Sequence, residues 1–310
     1  MSTLETRLWK YNKDAKILKV FNPFRSRRCP LRLEVNVYVG CAYQCKYCYS
    51  RAYIRNFDKP RCKPNFEKNL AEDVKRALEM GLNELPVNIS NSCDPFQPLE
   101  NKYKHSLFAM KLLIENNFHL IVLTKNPSKL LKHEYLNALD PKKAFIEVTI
   151  TKLNSWIFEP RAPSSLERIK AIADLIKLGF TVCVRIDPII PCFKGVPGQT
   201  PSEINALIEK LYNVGVKVVI GKCLRLTSAI AAKYPDFYYS LKPYYVANGV
   251  WINNYYDLKD EIKRQLHAPI YRACSEYNML YFTCLDKVSF PTAAACDGYE
   301  IISRSNDVIQ

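Results

Sequence analysis

Three cysteines, Cys41, Cys45 and Cys48, stand close together in the stretch NVYVGCAYQCKYCYSR with the spacing C-x3-C-x2-C. Thiolates this close can share one metal centre. Iron–sulfur cubanes are usually held by four cysteine thiolates. Three protein ligands would leave one iron open to chelation by a small molecule. A zinc knuckle or three buried thiols are the alternatives, the second being the weaker because structural thiols have no reason to crowd a strand end. Four more cysteines, Cys223, Cys274, Cys284 and Cys296, lie late in the chain. Their spacing matches no compact ligand pattern, so they are read either as candidate ligands of an auxiliary metal site or as buried thiols. Cys29, Cys62, Cys183 and Cys192 are read as structural.

Charge gathers around the same triplet. The 310-residue chain has a formal net charge of +15. Residues 1–68 contribute 16 Lys and Arg against 5 Asp and Glu, a net of +11. Arg51, Arg55, Lys59, Arg61 and Lys63 are interleaved with Tyr49, Tyr53 and Phe57. Cations neutralise phosphates and aromatic rings stack on bases, so Arg51, Arg55 and Arg61 are candidate nucleic-acid contacts. A solvated basic loop is the bland alternative.

The elements that must position these residues alternate. Strands are expected at Leu33 to Val39, Pro86 to Ser90, Phe118 to Thr124, Ala144 to Thr151, Phe180 to Ile186 and Val216 to Lys222. Helices are expected at Phe66 to Met80, Tyr103 to Asn117, Ser128 to Ala138, Ser164 to Leu178 and Ser202 to Asn213, with Gly81 and Gly179 as stops. Beyond them, Tyr256 to Tyr277 reads as a helix and Met279 to Thr283 as a short strand. Sustained alternation predicts a parallel sheet with right-handed crossovers. Residues 1–32 read as a basic lead-in, 33–225 as the α/β core and 226–310 as a small C-terminal extension completing the domain. Polar residues recur at the strand exits: Cys41, Asn91 to Asp94, Thr124-Lys125, Thr149 to Thr151, Arg185 to Asp187 and Cys223. In barrels of parallel strands this is where active-site residues gather.

The wording N-x-Y-x-G-C-x3-C-x-Y-C-Y resembles the radical SAM superfamily, in the branch containing spore photoproduct lyase and proteins labelled DNA repair photolyases. Four later segments are similar to that branch in the same order: Ser92 to Glu100 (SCDPFQPLE), Leu123 to Lys125, Glu159 to Pro163 followed by Arg168, and Asp187 to Pro191. The resemblance implies a partial (β/α)6 radical SAM barrel, a 4Fe–4S cluster on Cys41, Cys45 and Cys48, and S-adenosylmethionine (SAM) on the open iron. It places Tyr47 near the adenine and Lys125 and Thr149 in polar contact with SAM, with Asp94 and Arg185 as further cofactor-site candidates. An electron donor such as flavodoxin or ferredoxin is implied with them.

The expected activity is reductive cleavage of SAM to a 5′-deoxyadenosyl radical, used to repair or modify nucleic acid. A zinc-binding nucleic-acid adaptor without catalysis, or a radical SAM enzyme acting on a protein or small molecule, are the alternatives. By alignment on Asp94, the lyase's hydrogen-donating cysteine falls at Asn91, so the chain departs from that pattern. Cys93, two residues on, is a candidate relocated donor. The sequence shows neither a signal-like leader nor a run of about 18 apolar residues. A cytoplasmic protein is therefore expected, which also fits the 12 cysteines better as thiols and metal ligands than as disulfides.

Overall fold

A computed structural model describes residues 3–21, 30–291 and 299. Its centre is an eight-stranded sheet in which every strand follows its predecessor in the chain. We number these β1 (Leu18–Val20), β2 (Leu33–Val35), β3 (Val87–Ile89), β4 (Leu120–Thr124), β5 (Ala144–Thr149), β6 (Thr181–Ile189), β7 (Val218–Cys223) and β8 (Leu280–Thr283). Strands β2 to β8 run parallel, and β1 pairs antiparallel with β2 at the edge. The expected α/β class with a parallel, partial-barrel sheet is therefore observed. All six residues of β5 are buried, as a parallel sheet covered on both faces requires.

Local chemistry accounts for the helix boundaries. Ser164 caps Ser165–Lys177: its hydroxyl accepts from Glu167 N while Glu167 accepts from Ser164 N at 2.7 Å, the reciprocal capping box. Thr200 and Glu203 repeat the device ahead of Pro201–Asn213, whose first residue is the proline that a helix start tolerates. Phe66–Glu79 matches its expected span and ends before Gly81 at φ +64°.

Several expectations are corrected. The strand from Leu33 stops at Val35. Asn36 Oδ1 there accepts from Ser92 N and Oγ, at 2.9 and 2.7 Å, and Tyr38–Val39 turns away to pair with Arg61–Cys62. Ser128 to Ala138 is not one helix but a 3-10 turn at Pro127–Lys129 and a helical turn at His133–Leu136. The helix expected from Tyr256 begins at Asp260 and runs to Glu276. Before it, Tyr255–Leu258 forms a hairpin with Gly249–Ile252, and Trp251 and Tyr256 lie opposite each other with ring centroids 4.6 Å apart. The lead-in contains a helix, Thr3–Asp14, as well as β1. Among the described residues no helix is long and apolar enough to cross a membrane.

Candidate active site

A cavity of about 630 Å³ opens at the carboxyl ends of the parallel strands. Cys41, Cys45, Cys48 and Tyr47 line it from the loop after β2, Cys93 and Asp94 from the loop after β3, and Lys125 from the end of β4. Thr149 and Arg185 complete the wall from β5 and β6.

The cysteine loop is shaped by its surroundings. Gly40 has φ +79°, and a Cβ there would meet Phe57 O at 2.3 Å, so the turn admits only glycine. Cys41 N donates to that same carbonyl at 3.1 Å. Gln97 grips the loop twice, accepting from Ala42 N and donating to Gly40 O, both at 3.0 Å. Lys46 N donates to Phe158 O at 2.8 Å, and Tyr234 Oη donates to Gln44 O at 2.7 Å. The three thiols form no disulfide. Burial pushes the Cys41 thiol well above the ordinary range and the Cys45 thiol up to about 12, with Lys125 opposing the shift at Cys45.

Three thiolates can serve either an iron–sulfur cluster or a single zinc ion. Tetrahedral zinc, with Zn–S about 2.3 Å, would draw its thiolates to about 3.8 Å from one another. Among the described residues, a trio of ligand-type side chains that lies within 4.8 Å throughout is Cys223, His267 and Asp286. A cubane spreads its thiolates over separate irons, so Cys41, Cys45 and Cys48 need not converge on one point to hold it.

Behind the loop lies a closed polar chain. Tyr47 Oη donates to Glu159 Oε1, and Glu159 Oε2 lies 2.5 Å from Arg168 Nη2. Arg168 also donates to Thr149 O at 2.8 Å and to Pro163 O. Lys125 Nζ stands 5.6 Å from the centre of the Tyr47 ring. Burial favours its neutral amine, but Cys45 and Glu159 outweigh that and raise its affinity for the proton. Lys125 is thus a fixed cation on the cavity wall beside the cysteines.

Asp94 and Arg185 are held differently from Lys125. Asp94 accepts from Phe96 N and Thr124 Oγ1, each at 2.9 Å, and from Lys125 N at 2.7 Å. Its carboxylate therefore fastens the end of β3 to the end of β4. Arg185 bridges Glu147 at 3.0 Å and Asp187 at 2.9 Å. Cys93 and Asn91 both line the cavity, although not through a shared strand face: β3 ends at Ile89, and Ser90 turns the chain at φ +62°.

Other candidates separate. Arg51 leaves the basic face, because its side chain is only 6% exposed, pairs with Asp58 at 2.9 Å and lies over the rings of Phe57 and Tyr234. Arg55 and Arg61 remain exposed, and Arg61 donates to Arg55 O at 3.3 Å. Of the late cysteines among the described residues, Cys223 stands in a group of ligand-type side chains whose atoms lie close together. Cys274 is buried in the helix Asp260–Glu276, Cys284 lines the cavity, and Cys296 lies outside the described residues. Cys223 meets His267 and Asp286, neither of which the sequence reading singled out. Gln97 and Glu100 were also missed as supports. Buried Glu100 accepts from Tyr38, Tyr135, Ser106 N and Leu107 N. Both stand in the SCDPFQPLE segment, so the signal was present without its role.

No family model matches the chain. It is 29% identical over 191 residues to an uncharacterized protein of Methanocaldococcus jannaschii, covering 58% of this chain and 70% of the relative. An uncharacterized protein of Acidianus two-tailed virus is 23% identical over 234 residues, 68% of this chain and 73% of that one. Among solved structures, a spore photoproduct lyase variant with bound AdoMet and dinucleoside spore photoproduct superposes with a TM-score of 0.64 at 15% identity, covering 94% of this chain and 84% of that one. Streptococcus suis SuiB bound to its precursor peptide SuiA gives 0.56 at 15% identity, over 90% of this chain and 52% of that one. The sheet that carries the cysteine loop to the mouth of the cavity thus has the fold of spore photoproduct lyase.

Proposed function

We propose that the chain is a radical SAM enzyme that acts on nucleic acid. The observation carrying this reading is the meeting of three unpaired thiols, Tyr47 and Lys125 on one cavity at the strand exits. Cys41, Cys45 and Cys48 would hold a 4Fe–4S cluster, with SAM on the open iron. Together, when bound, these cofactors would supply a 5′-deoxyadenosyl radical by one-electron cleavage of a carbon–sulfur bond.

The chain's own part is orientation and shielding. Lys125 presents a cation to the carboxylate of SAM, and Thr149 offers a hydroxyl on the same wall. Tyr47 is fixed by Glu159, so its ring forms a rigid face for the adenine. Asp94 and Arg185 act as positioning residues, since the Asp94 carboxylate and both terminal nitrogens of Arg185 are engaged by the protein itself. A flavodoxin- or ferredoxin-like donor would supply the electron.

The nucleic-acid assignment is supported at the cavity's mouth. Tyr49 and Tyr53 line the cavity, yet are 42% and 60% exposed. Exposed Arg55, Lys59 and Arg61 follow them in the chain. Rings suited to base stacking beside cations suited to phosphates form a single-strand platform. A duplex base would have to be extruded to reach the cysteine wall, at a cost of a few kcal/mol.

Anaerobic reconstitution with iron and sulfide, then reduction with dithionite in the presence of SAM, tests the reading. Visible charge-transfer absorption and release of 5′-deoxyadenosine are expected. Iron-loaded protein that leaves SAM intact overturns the enzymatic reading, and zinc in place of iron favours the adaptor. Deuterium transfer from labelled oligonucleotides into deoxyadenosine identifies the substrate class, and transfer from peptides alone overturns the nucleic-acid part.

A further inference from the structure

A second cluster of ligand-type side chains lies at the far edge of the sheet, beside β7 and β8. Cys223 closes β7, His267 sits inside the helix Asp260–Glu276, and Asp286 follows β8. All three are buried, and one ligand atom from each lies within 4.8 Å of the other two. Three separate elements thus aim a thiol, an imidazole and a carboxylate at one point.

The surroundings are those of a built site. His267 Nδ1 contacts Tyr281 Oη, while its Nε2 lies 2.8 Å from Asp286 Oδ2. Cys223 N donates to that carboxylate at 2.6 Å. Lys263 Nζ is 2.7 Å from Asp257 and 3.8 Å from the other oxygen of Asp286. Gly221 makes the approach possible: a Cβ there would meet Tyr281 Oη at 2.0 Å and His267 Nδ1 at 3.0 Å. A ligating histidine characteristically holds its second nitrogen in a hydrogen bond of this kind.

We propose that Cys223, His267 and Asp286 bind one zinc ion, separate from the cysteine loop. Thiolate, imidazole and carboxylate are all zinc ligands, and three of them leave one position of a tetrahedron open. A thiolate with an imidazole disfavours calcium and magnesium, which take oxygen ligands. Charge agrees: a divalent ion, one thiolate and one carboxylate sum to zero, so burial carries no net charge out of water. On binding, the Cys223 thiol releases its proton to solvent. His267 binds through Nε2 as the neutral ring, with its proton on Nδ1 facing Tyr281. The proton between Nε2 and Asp286 passes to solvent, Nδ1 holding the ring's single proton, so that the direct hydrogen bond gives way to one bond from each group to the ion. The ion would tie the segment after β8 to β7 on the cavity wall, where Cys223 is a lining residue.

The test uses the full chain with the substitutions Cys41→Ala, Cys45→Ala and Cys48→Ala, so failure of the cluster reading does not bear on it. Mass-spectrometric metal analysis after dialysis should find about one zinc per chain. Cobalt(II) in its place should give thiolate charge-transfer absorption in the near ultraviolet. Cys223→Ser should abolish that absorption. Tyr281→Phe, which preserves the ring, should retain it while weakening cobalt affinity by about 10–100-fold, as removal of an outer-shell partner does. A triple-substituted chain with native circular dichroism that holds no zinc and yields no cobalt–thiolate band overturns the proposal. So does a band that survives Cys223→Ser; the cluster would then be a hydrogen-bond network alone.

Discussion

Glu159 and Arg168 face each other at 2.5 Å with both side chains shut off from solvent. The pair fixes more than itself, since Glu159 also accepts from Tyr47 while Arg168 donates to the carbonyls of Thr149 and Pro163. It therefore joins the cysteine loop to the exit of β5. Desolvation offsets much of the attraction between two buried charges, whereas losing one partner strands the other. Arg168→Met should destabilise the iron-free protein by about 3–5 kcal/mol in urea, a penalty set by the unpaired carboxylate. Adding Glu159→Gln should restore part of that loss. If the double variant is no better than the single one, the pair is not the origin of the penalty.

Gly40 and Gly195 form a matched comparison. Their φ values are +79° and +80°, but a Cβ at Gly195 would have no heavy atom within 4 Å, whereas one at Gly40 would strike Phe57 O. Gly195→Ala should cost about 1–2 kcal/mol, the ordinary left-handed penalty. Gly40→Ala should cost more and should also lower the iron bound after reconstitution, because Cys41 is the next residue. Thermal melting and iron analysis on both variants read this directly. Equal effects would remove the clash from the account of the loop.

The basic face divides between structure and surface. Arg55→Glu and Arg61→Glu should weaken nucleic-acid binding with little change in melting temperature. Each lost phosphate contact should reduce the slope of log affinity against log salt by about 0.9 on duplex DNA, or about 0.7 on a single strand. Arg51→Glu should instead destabilise the fold, since it sets a carboxylate against Asp58 in a nearly closed pocket. Fluorescence anisotropy across a salt series, paired with melting curves, distinguishes the two behaviours. Unchanged slopes at both Arg55 and Arg61 would mean that the face does not touch phosphate.

What could be read from the chain depended on how local the cause was. Strand–helix alternation and capping signals such as Ser164 with Glu167 act within a few residues, so the parallel strands stand close to where their apolar runs put them. The polar strand exits were legible because parallel strands bring their carboxyl ends to one side. Arg51 was misplaced because its burial depends on the ring of Tyr234, far along the chain. Cys223 and Asp286, 63 residues apart, become neighbours only when β8 docks beside β7. The 249–258 hairpin escapes a sequence reading because the stretch from Tyr256 to Leu258 runs straight into the helical pattern of Asp260–Glu276.

Cys93 offers a test that starts from acidity. The thiol lines the cavity, and burial pushes it up to about 11, with the Ser90 side chain opposing the shift. A raised thiol pKa means less thiolate at any given pH, so Cys93 stays as S–H across the physiological range. Alkylation by iodoacetamide, followed by mass spectrometry of the Cys93 peptide, should keep accelerating beyond pH 9. A free cysteine, with pKa about 8.5, would be levelling off there. A plateau near pH 8.5 would show Cys93 to be ordinarily solvated. The neutral thiol is the form that can return a hydrogen atom to a carbon radical, and its S–H bond is weak enough to do so. Cys93→Ala should therefore leave iron content and SAM cleavage near the parent values while stalling or altering the product. Unchanged product at unchanged turnover would reduce Cys93 to a small residue filling the bend after β3.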